Sequence, residues 1–179
     1  MIKVRRAQAA DAPSIGAVHV SAWRNAYAGI LPNDYLSGLS MPRQAAQYDA
    51  TIRSDGGVYV ATAAGPNGRP SVVGFATVGR PRSRGLAEGE IQTLYVLDDW
   101  REHGVGRRLL AAGAAHLAAA GCRSAFLWVL RDNPSRWFYE RLGGRQAAAS
   151  ATRVAGVAIP QVAFVWDPIE RLLAEADRP

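Results

Sequence analysis

The two glycines of Arg101-Glu-His-Gly-Val-Gly106 stand where a predicted strand gives way to a long apolar helix. In the first turn of a helix the backbone N–H groups lack intrahelical partners and the helix dipole is positive, and glycines let an anion approach that backbone. Arg107 and Arg108 follow at once, where basic side chains oppose the dipole unless an anion lies nearby. The spacing favours a phosphate-binding turn; the alternative is that the two glycines only turn a corner.

Two other glycine motifs that bind nucleotides do not fit this stretch. A dinucleotide-binding fingerprint needs a third glycine, but its position is occupied by Leu109, and a Walker loop needs a lysine that the stretch lacks. The anion expected at the turn therefore belongs to neither of these nucleotide classes.

The stretch Asn133-Pro-Ser-Arg-Trp-Phe-Tyr-Glu-Arg-Leu-Gly143 is a second block with candidate chemistry. On the residues alone, Tyr139 beside Phe138 has the spacing of a core aromatic, and Asn133 or Asp132 has the type expected of a helix cap. Glu90, at the start of a predicted strand, is on the residues alone a surface carboxylate at a strand end.

Together these blocks resemble the GCN5-related N-acetyltransferase (GNAT) family. The first is similar to the family's Gln/Arg-x-x-Gly-x-Gly/Ala signature, and the second to its Asn-x-x-Ala-x-x-Phe-Tyr-x-x-x-Gly pattern. The strand Thr93-Leu-Tyr-Val96 and the order of helices and strands agree over nearly the whole chain. Arg136 departs from the pattern, because the family usually carries a small alanine at that place.

The resemblance implies one mixed α/β domain over residues 1–179, with residues 168–179 as a C-terminal helix and tail. Its mostly antiparallel central sheet would be flanked by helices and splayed between the fourth and fifth strands. The implied reaction transfers the acetyl group of acetyl-CoA to a primary amine by direct attack in a ternary complex. The acceptor would be a small molecule or a peptide, and a homodimer formed through the last strands or the C-terminal helix is a family-level expectation.

The resemblance also assigns roles to individual residues. Tyr139 would protonate the leaving thiolate, and Glu90 would act as general base, usually through water. Trp23, Tyr27 and Tyr35 would contact the acceptor, in a segment similar to one in many bacterial members; on the residues alone, they equally pack the first helix on the sheet. The residues assigned to coenzyme A are Leu94, Tyr95, Val96, Arg101, Glu102, His103, Gly104, Val105, Gly106, Arg107, Arg108, Asn133 and Arg136.

The remaining polar residues carry weaker signals. His116 falls in register with the apolar face of its helix and is expected at the core edge, His19 lies one residue off such a face, and Cys122 is expected to be buried and inert. Histidines and carboxylates show no metal-ligand spacing, so no metal is expected. The run of Arg80, Arg82 and Arg84 is typical of a solvated loop; the alternatives are contacts with the 3′-phosphate of adenosine or with an acidic acceptor.

Composition narrows the classes of function. The 179 residues are 49% hydrophobic and 20% charged, which excludes a mainly disordered chain, and one cysteine favours a reducing, cytoplasmic location. The formal charge of +6 allows a nucleic-acid partner, yet no nucleic-acid motif and no membrane-spanning segment is found. A catalytically silent acyl-CoA sensor and, less favoured, a basic nucleic-acid-binding domain are the alternatives to an enzyme.

The hydrophobic periodicity predicts the elements that must position these residues. Strands are predicted over 2–6, 58–62, 71–78, 90–96, 125–130, 145–154 and 159–166. Helices are predicted from a cap at Asp11, over 33–39, 42–53 and 104–120, from Asn133 or Asp132 to 143, and over 168–176, with a turn at 66–70.

Overall fold

Alternating and continuous apolar runs build a seven-stranded sheet in the order β1-β2-β3-β4-β5-β7-β6, as seen in a computed structural model that describes residues 1–65, 68–82 and 85–176. The strands are β1 Lys3–Arg6, β2 Gly57–Ala64, β3 Pro70–Gly79, β4 Gly89–Val96, β5 Ala125–Leu130, β6 Arg145–Val154 and β7 Val157–Trp166. The helices are α1 Ala12–Ala26, α2 Asn33–Ser37, α3 Met41–Arg53, α4 Val105–Ala119, α5 Arg136–Arg141 and α6 Glu170–Ala176. The sheet is antiparallel except for the pair β4–β5, which confirms the predicted mixed α/β class.

The central strands β2 and β3 are buried on both faces because helices cover both sides of the sheet. On one side, Ile15 of α1 and Tyr48 of α3 pack against Phe75. On the other side, Leu109 of α4 packs against alternate residues of the same strands, among them Ala76. These layers therefore give the sheet two chemically separate faces, which we call the α1 face and the α4 face.

The strands β4 and β5 separate soon after they meet. Their parallel pairing joins only Gly89 to Ala125 and Glu90 to Phe126, although both strands continue beyond those positions. Gly89 is required at this junction, because a Cβ atom there would lie 2.9 Å from the side chain of Leu117 in α4. The predicted splay between the fourth and fifth strands is confirmed, and it opens the sheet where the candidate site lies.

The register between β3 and β4 shifts between Thr77 and Val78, which pair with Thr93 and Ile91. Gln92 is thus the extra residue of a β-bulge. The regular alternation of side chains between the two faces of the sheet is therefore shifted by one residue after Gln92. Ile91 and Leu94 pack toward α4, whereas Tyr95 packs toward α1 and α3.

Asp11 is the cap residue of α1, as predicted, with Pro13 in the first turn, but its side chain makes no hydrogen bond to the helix end. Its carboxylate instead accepts hydrogen bonds from Arg5 at 2.8 and 2.9 Å and from the backbone N–H of Gln8 at 2.7 Å. The charged fork of Arg5 on β1 is a stronger donor than the free N–H groups of the helix end, and it lowers the pKa of Asp11.

The predicted cap of the helix after β5 is displaced. α5 begins at Arg136 with Ser135 as its first flanking residue, not at Asn133 or Asp132. The side chain of Asn133 accepts a hydrogen bond from the N–H of Ser135 at 2.9 Å and so closes a turn ahead of the helix.

Three predictions fall partly outside the described residues: the turn at 66–70, the basic run at Arg84, and the tail beyond residue 176. Within the described residues, the helices are too short or too polar to cross a membrane.

Leu110 provides a test of the central core. Its side chain is fully buried in a cluster that joins α4 to β5, β7 and α6. We expect Leu110→Ala to lower the free energy of unfolding by about 2–5 kcal/mol, because it removes apolar burial and leaves a cavity. The exposed Val157 gives the control: Val157→Ala should change the free energy by less than about 0.5 kcal/mol. Urea titration of both variants measures the difference, and equal effects would contradict this assignment of the core.

Candidate active site

A cavity of about 530 Å³ occupies the gap between β4 and β5. Residues 91–96 of β4 and 127–130 of β5 form two of its walls, and the first turn of α4 closes one end. The remaining wall of the cavity is formed by α1, the turn before α5, α5 itself and the β6–β7 hairpin. The predicted site residues in this wall are Trp23, Tyr27, Leu94, Tyr95, Val96, Arg101, Glu102, Gly104, Val105, Gly106, Arg107, Asn133 and Tyr139.

The first turn of α4 provides an anion-binding end for the cavity. Gly104, the cap residue, has φ of 73°, a left-handed conformation that glycine adopts without a steric cost. A Cβ atom on Gly106 would already lie 3.4 Å from the ring of Phe138, so the glycine keeps the backbone open to the cavity at this point. Together with Arg101 and Arg107 in the wall, the turn can hold a diphosphate group.

Three other residues expected to contact the cofactor lie elsewhere. Arg108 donates to the carbonyl of Ile2 at 3.1 Å and so ties α4 to the start of the chain. The guanidinium of Arg136 lies 4.4 Å above the ring centre of the exposed Trp137. His103 is exposed, and its Nδ1 donates to a backbone carbonyl of the same turn at 2.7 Å.

Tyr139 projects from α5 into the floor of the cavity. Its ring packs edge-on against Trp166 and tilts against Phe164, with centroid distances of 6.4 and 6.0 Å. The Trp166 indole is itself fixed by a 2.8 Å hydrogen bond to the carbonyl of Leu142. Burial, and secondly the neighbouring phenol of Tyr27, raise the pKa of Tyr139, so its hydroxyl stays protonated at neutral pH and can donate a proton.

Aromatic side chains form the wall on the α1 face. Trp23 meets Tyr27 edge-on at 4.9 Å and Tyr95 at 6.3 Å. Behind them His19 stacks on Trp23 at 5.2 Å, and its Nδ1 shares a 2.8 Å hydrogen bond with the hydroxyl of Tyr48. These aromatics therefore both pack the first helix on the sheet and line the cavity.

Tyr35 has only the packing role among the described contacts. It lies 6.4 Å from Trp23 in a cluster with Leu31 and Leu36, outside the cavity wall. The two sequence interpretations of the aromatic segment thus apply to different residues of it.

Glu90 lies behind the wall and not in it. Its side chain is 1% exposed and accepts three hydrogen bonds from Arg82: from the backbone N–H at 2.6 Å, from Nε at 3.0 Å and from Nη2 at 2.7 Å. Arg82, with 58% of its side chain exposed, is the member of the pair that lines the cavity. Glu90 is therefore neither the surface carboxylate nor a base with free lone pairs in the cavity.

Several wall residues were not among the predicted site residues, among them Arg82, Phe138 and Arg141. Arg82 looked like part of a solvated run, and its link to Glu90 exists only because the chain returns from β3 into β4. The sequence does contain a signal for Phe138, because it stands beside Tyr139 in the second motif. Both side chains line the same cavity.

The residues with weaker signals lie away from the cavity. The ring of His116 shares a 3.1 Å hydrogen bond with the hydroxyl of Tyr59. Cys122 is partly buried, and burial raises the pKa of its thiol. Among the described residues, no group of histidine, cysteine and acidic side chains has an arrangement that would hold a metal ion.

Comparison with known proteins places this architecture. The model of the acetyltransferase (GNAT) family matches residues 21–144. The uncharacterised N-acetyltransferase YuaI of Bacillus subtilis strain 168 is 36% identical over 173 residues, covering 96% of both chains.

Solved structures share the fold. The PaiA N-acetyltransferase of Thermoplasma acidophilum, in complex with coenzyme A, aligns with a TM-score of 0.65 and 16% identity over 90% of this chain and 98% of that chain. YncA of Salmonella typhimurium, solved with its cofactor acetyl-CoA, aligns with a TM-score of 0.68 and 20% identity over 93% and 94%. At these identities the likeness concerns the fold.

The buried His19 makes stability depend on pH. Burial lowers its pKa from 6.5 to about 4. As the pH falls, the His19 side chain is therefore protonated near pH 6.5 in the unfolded chain and only near pH 4 in the folded protein. The free energy of unfolding should be highest above pH 6.5 and fall by on the order of 3 kcal/mol as the pH drops toward 4. Urea titrations across this range should find a smaller fall in His19→Gln.

The exposed His103 supplies the control for that experiment. His103→Gln should keep the wild-type pH dependence of the free energy of unfolding. If His19→Gln keeps it as well, the burial of His19 is not the cause.

Proposed function

Because the chain belongs to the acetyltransferase (GNAT) family, we propose that it transfers the acetyl group of acetyl-CoA to a primary amine by direct attack in a ternary complex. One observation carries this proposal: a single cavity connects the anion-binding turn of α4, the protonated phenol of Tyr139 and an aromatic wall on the α1 face. A donor and an acceptor that enter such a cavity from different sides can meet without a covalent intermediate on the protein.

The residues present fit coenzyme A. The backbone of residues 104–107, with Arg101 and Arg107, would hold the diphosphate. Beyond Glu90, the β4 edge that faces β5 has no strand partner within the described residues, so the backbone of residues 94–96 would pair with the pantetheine amides as an added strand. Acetyl-CoA supplies the activated acyl group.

Tyr139 is proposed as the acid. Its ring is packed against Phe164 and Trp166 and its hydroxyl stays protonated, so it can donate to the thiolate that leaves when the acceptor nitrogen has attacked the carbonyl. Tyr27, whose phenol neighbours that of Tyr139, also interacts with the side chain of Asn133, and all three residues line the cavity.

Glu90 is not given the role of general base in this proposal. Its carboxylate has no exposed face and is engaged by three hydrogen bonds from Arg82, so it cannot take a proton without giving up that partner. The acceptor ammonium would instead release its proton to solvent in the open cavity. A cytoplasmic location and a homodimer remain predictions.

Replacing the proposed acid tests the mechanism. We expect Tyr139→Phe to lower kcat about 100-fold or more, because the leaving thiolate loses its proton donor, while the Kd of coenzyme A changes little. Thiol release from acetyl-CoA across a panel of amines measures turnover, and calorimetry measures coenzyme A binding. Tyr59→Phe, in β2 and outside the cavity wall, is the matched control and should keep the wild-type rate.

The same measurements separate the alternatives. If Tyr139→Phe leaves kcat unchanged and raises only the KM for the acceptor, Tyr139 is not the acid. Binding of coenzyme A without turnover for any amine would favour the silent acyl-CoA sensor.

Gly106 tests the anion-binding turn. We expect Gly106→Val to weaken coenzyme A binding about 10-fold or more, because the added side chain enters the space beside Phe138 and displaces the diphosphate from the backbone. Ala115→Val puts the same β-branched side chain on the exposed side of α4 and should bind coenzyme A normally. Equal affinities in the two variants would contradict the placement of the diphosphate.

A further inference from the structure

Arg82 is held in one position by hydrogen bonds on several of its donors. Its backbone N–H, Nε and Nη2 all donate to the buried carboxylate of Glu90, and Nη2 also donates to the carbonyl of Gln92 at 3.1 Å. Nη1 has no hydrogen-bond acceptor within the described part of the chain. A guanidinium fixed through Nε and Nη2 keeps Nη1 available to a ligand at little cost in side-chain entropy.

This free Nη1 belongs to the acceptor side of the cavity. Glu90 precedes the bulge in β4, and Tyr48 and Tyr95 pack on the α1 face. The positive charge of Arg82 partly opposes the rise that burial causes in the pKa of Tyr48, which places its field on that face. Trp23 and Tyr27 form the neighbouring wall.

Among the described residues, the acceptor side of the cavity wall has no carboxylate that would bind a second cationic group of the acceptor. Among the described residues of the cavity wall, Glu102 is the one acidic residue, and it lies in the turn before α4 at the diphosphate end. Glu90 balances the charge of Arg82 but is buried behind it, so the surface that faces the cavity is the guanidinium. A polyamine or a lysine-rich peptide would therefore bring positive charge toward Arg82 without a carboxylate to receive it.

We propose that the acceptor is a small amine that also carries a carboxylate, and that Arg82 binds this carboxylate while Glu90 serves as its positioning residue. The inference rests on the proposed function and names the substrate class of the same site. The ammonium end of the molecule would lie toward Tyr139 and the carboxylate end toward the loop that follows β3. Glu90 thus acts on the acceptor through Arg82 and does not touch it.

Matched acceptors test the proposal: free amino acids are compared with the corresponding amino acid amides, which keep the amine and lose the charge. The wild-type protein should prefer the acids in kcat/KM. Arg82→Gln should lower kcat/KM for the acids about 10- to 100-fold, mainly through KM, and change the amides less than about threefold, as expected for the loss of a hydrogen bond to a charged group. The ratio of variant to wild type removes the difference in amine pKa between acids and amides.

Arg80→Gln is the matched control, because it removes an exposed positive charge two residues away that lies outside the cavity wall. It should leave the preference for acids unchanged. Arg82→Lys keeps the charge but not the fork, and it should restore part of the preference. Glu90→Gln, which weakens the anchor and keeps the charge of Arg82, should raise KM for the acids less than Arg82→Gln does and leave kcat unchanged; a fall in kcat instead would assign Glu90 to the chemistry.

Calorimetry with the coenzyme A-loaded protein reads the same contact without turnover. Amino acids should bind more tightly than their amides to the wild-type protein, and this difference should vanish in Arg82→Gln. Equal binding of acids and amides, or an equal loss for both in Arg82→Gln, would overturn the proposal. Failure of the proposed function is distinct from these outcomes, because it would appear as coenzyme A binding and acid-selective binding without thiol release.

Discussion

The separation of β4 from β5 creates the cavity and fixes the position of the ion pair between Glu90 and Arg82. Two paired positions, Gly89 with Ala125 and Glu90 with Phe126, join the strands before they part. Strand edges that face no neighbour leave backbone groups without a strand partner, so the gap leaves backbone groups of β4 open to pair with a ligand. The packing of Leu117 against Gly89 holds the closed end and thereby fixes where the opening begins.

The ion pair of the buried Glu90 with the partly exposed Arg82 lies at the closed end of this opening. Glu90 occupies the last paired position of β4, and its bonds to Arg82 tie the chain segment after β3 to the point where the sheet opens. Removing either partner alone would leave a polar group that the other was meant to satisfy, which is costly for the buried carboxylate. The pair therefore joins the stability of the junction to the charge that the cavity presents.

Burial sets the chemistry of the aromatic residues around the cavity. It raises the pKa of Tyr27, Tyr95 and Tyr139 and keeps these phenols protonated, and it lowers the pKa of His19, which stays neutral at pH 7. The aromatic wall is consequently neutral, and the charged side chains among the described wall residues are Arg82, Arg101, Glu102, Arg107 and Arg141. Such a distribution suits a polyanionic donor at one end and an acceptor selected by charge at the other.

The order of the elements, the glycine turn before α4 and the block that contains Tyr139 could all be predicted from the sequence. Each of these features depends on residues that are close together in the chain. Backbone propensity, glycine conformation and helical spacing are local, and a resemblance in motifs reports them directly. Which arginines face the cavity depends instead on tertiary contacts. Arg108 turns to Ile2 and Arg136 to Trp137, whereas Arg82 meets Glu90 through the bulged register of β3 and β4. Those contacts join residues across strands and loops, and no spacing along the chain encodes them.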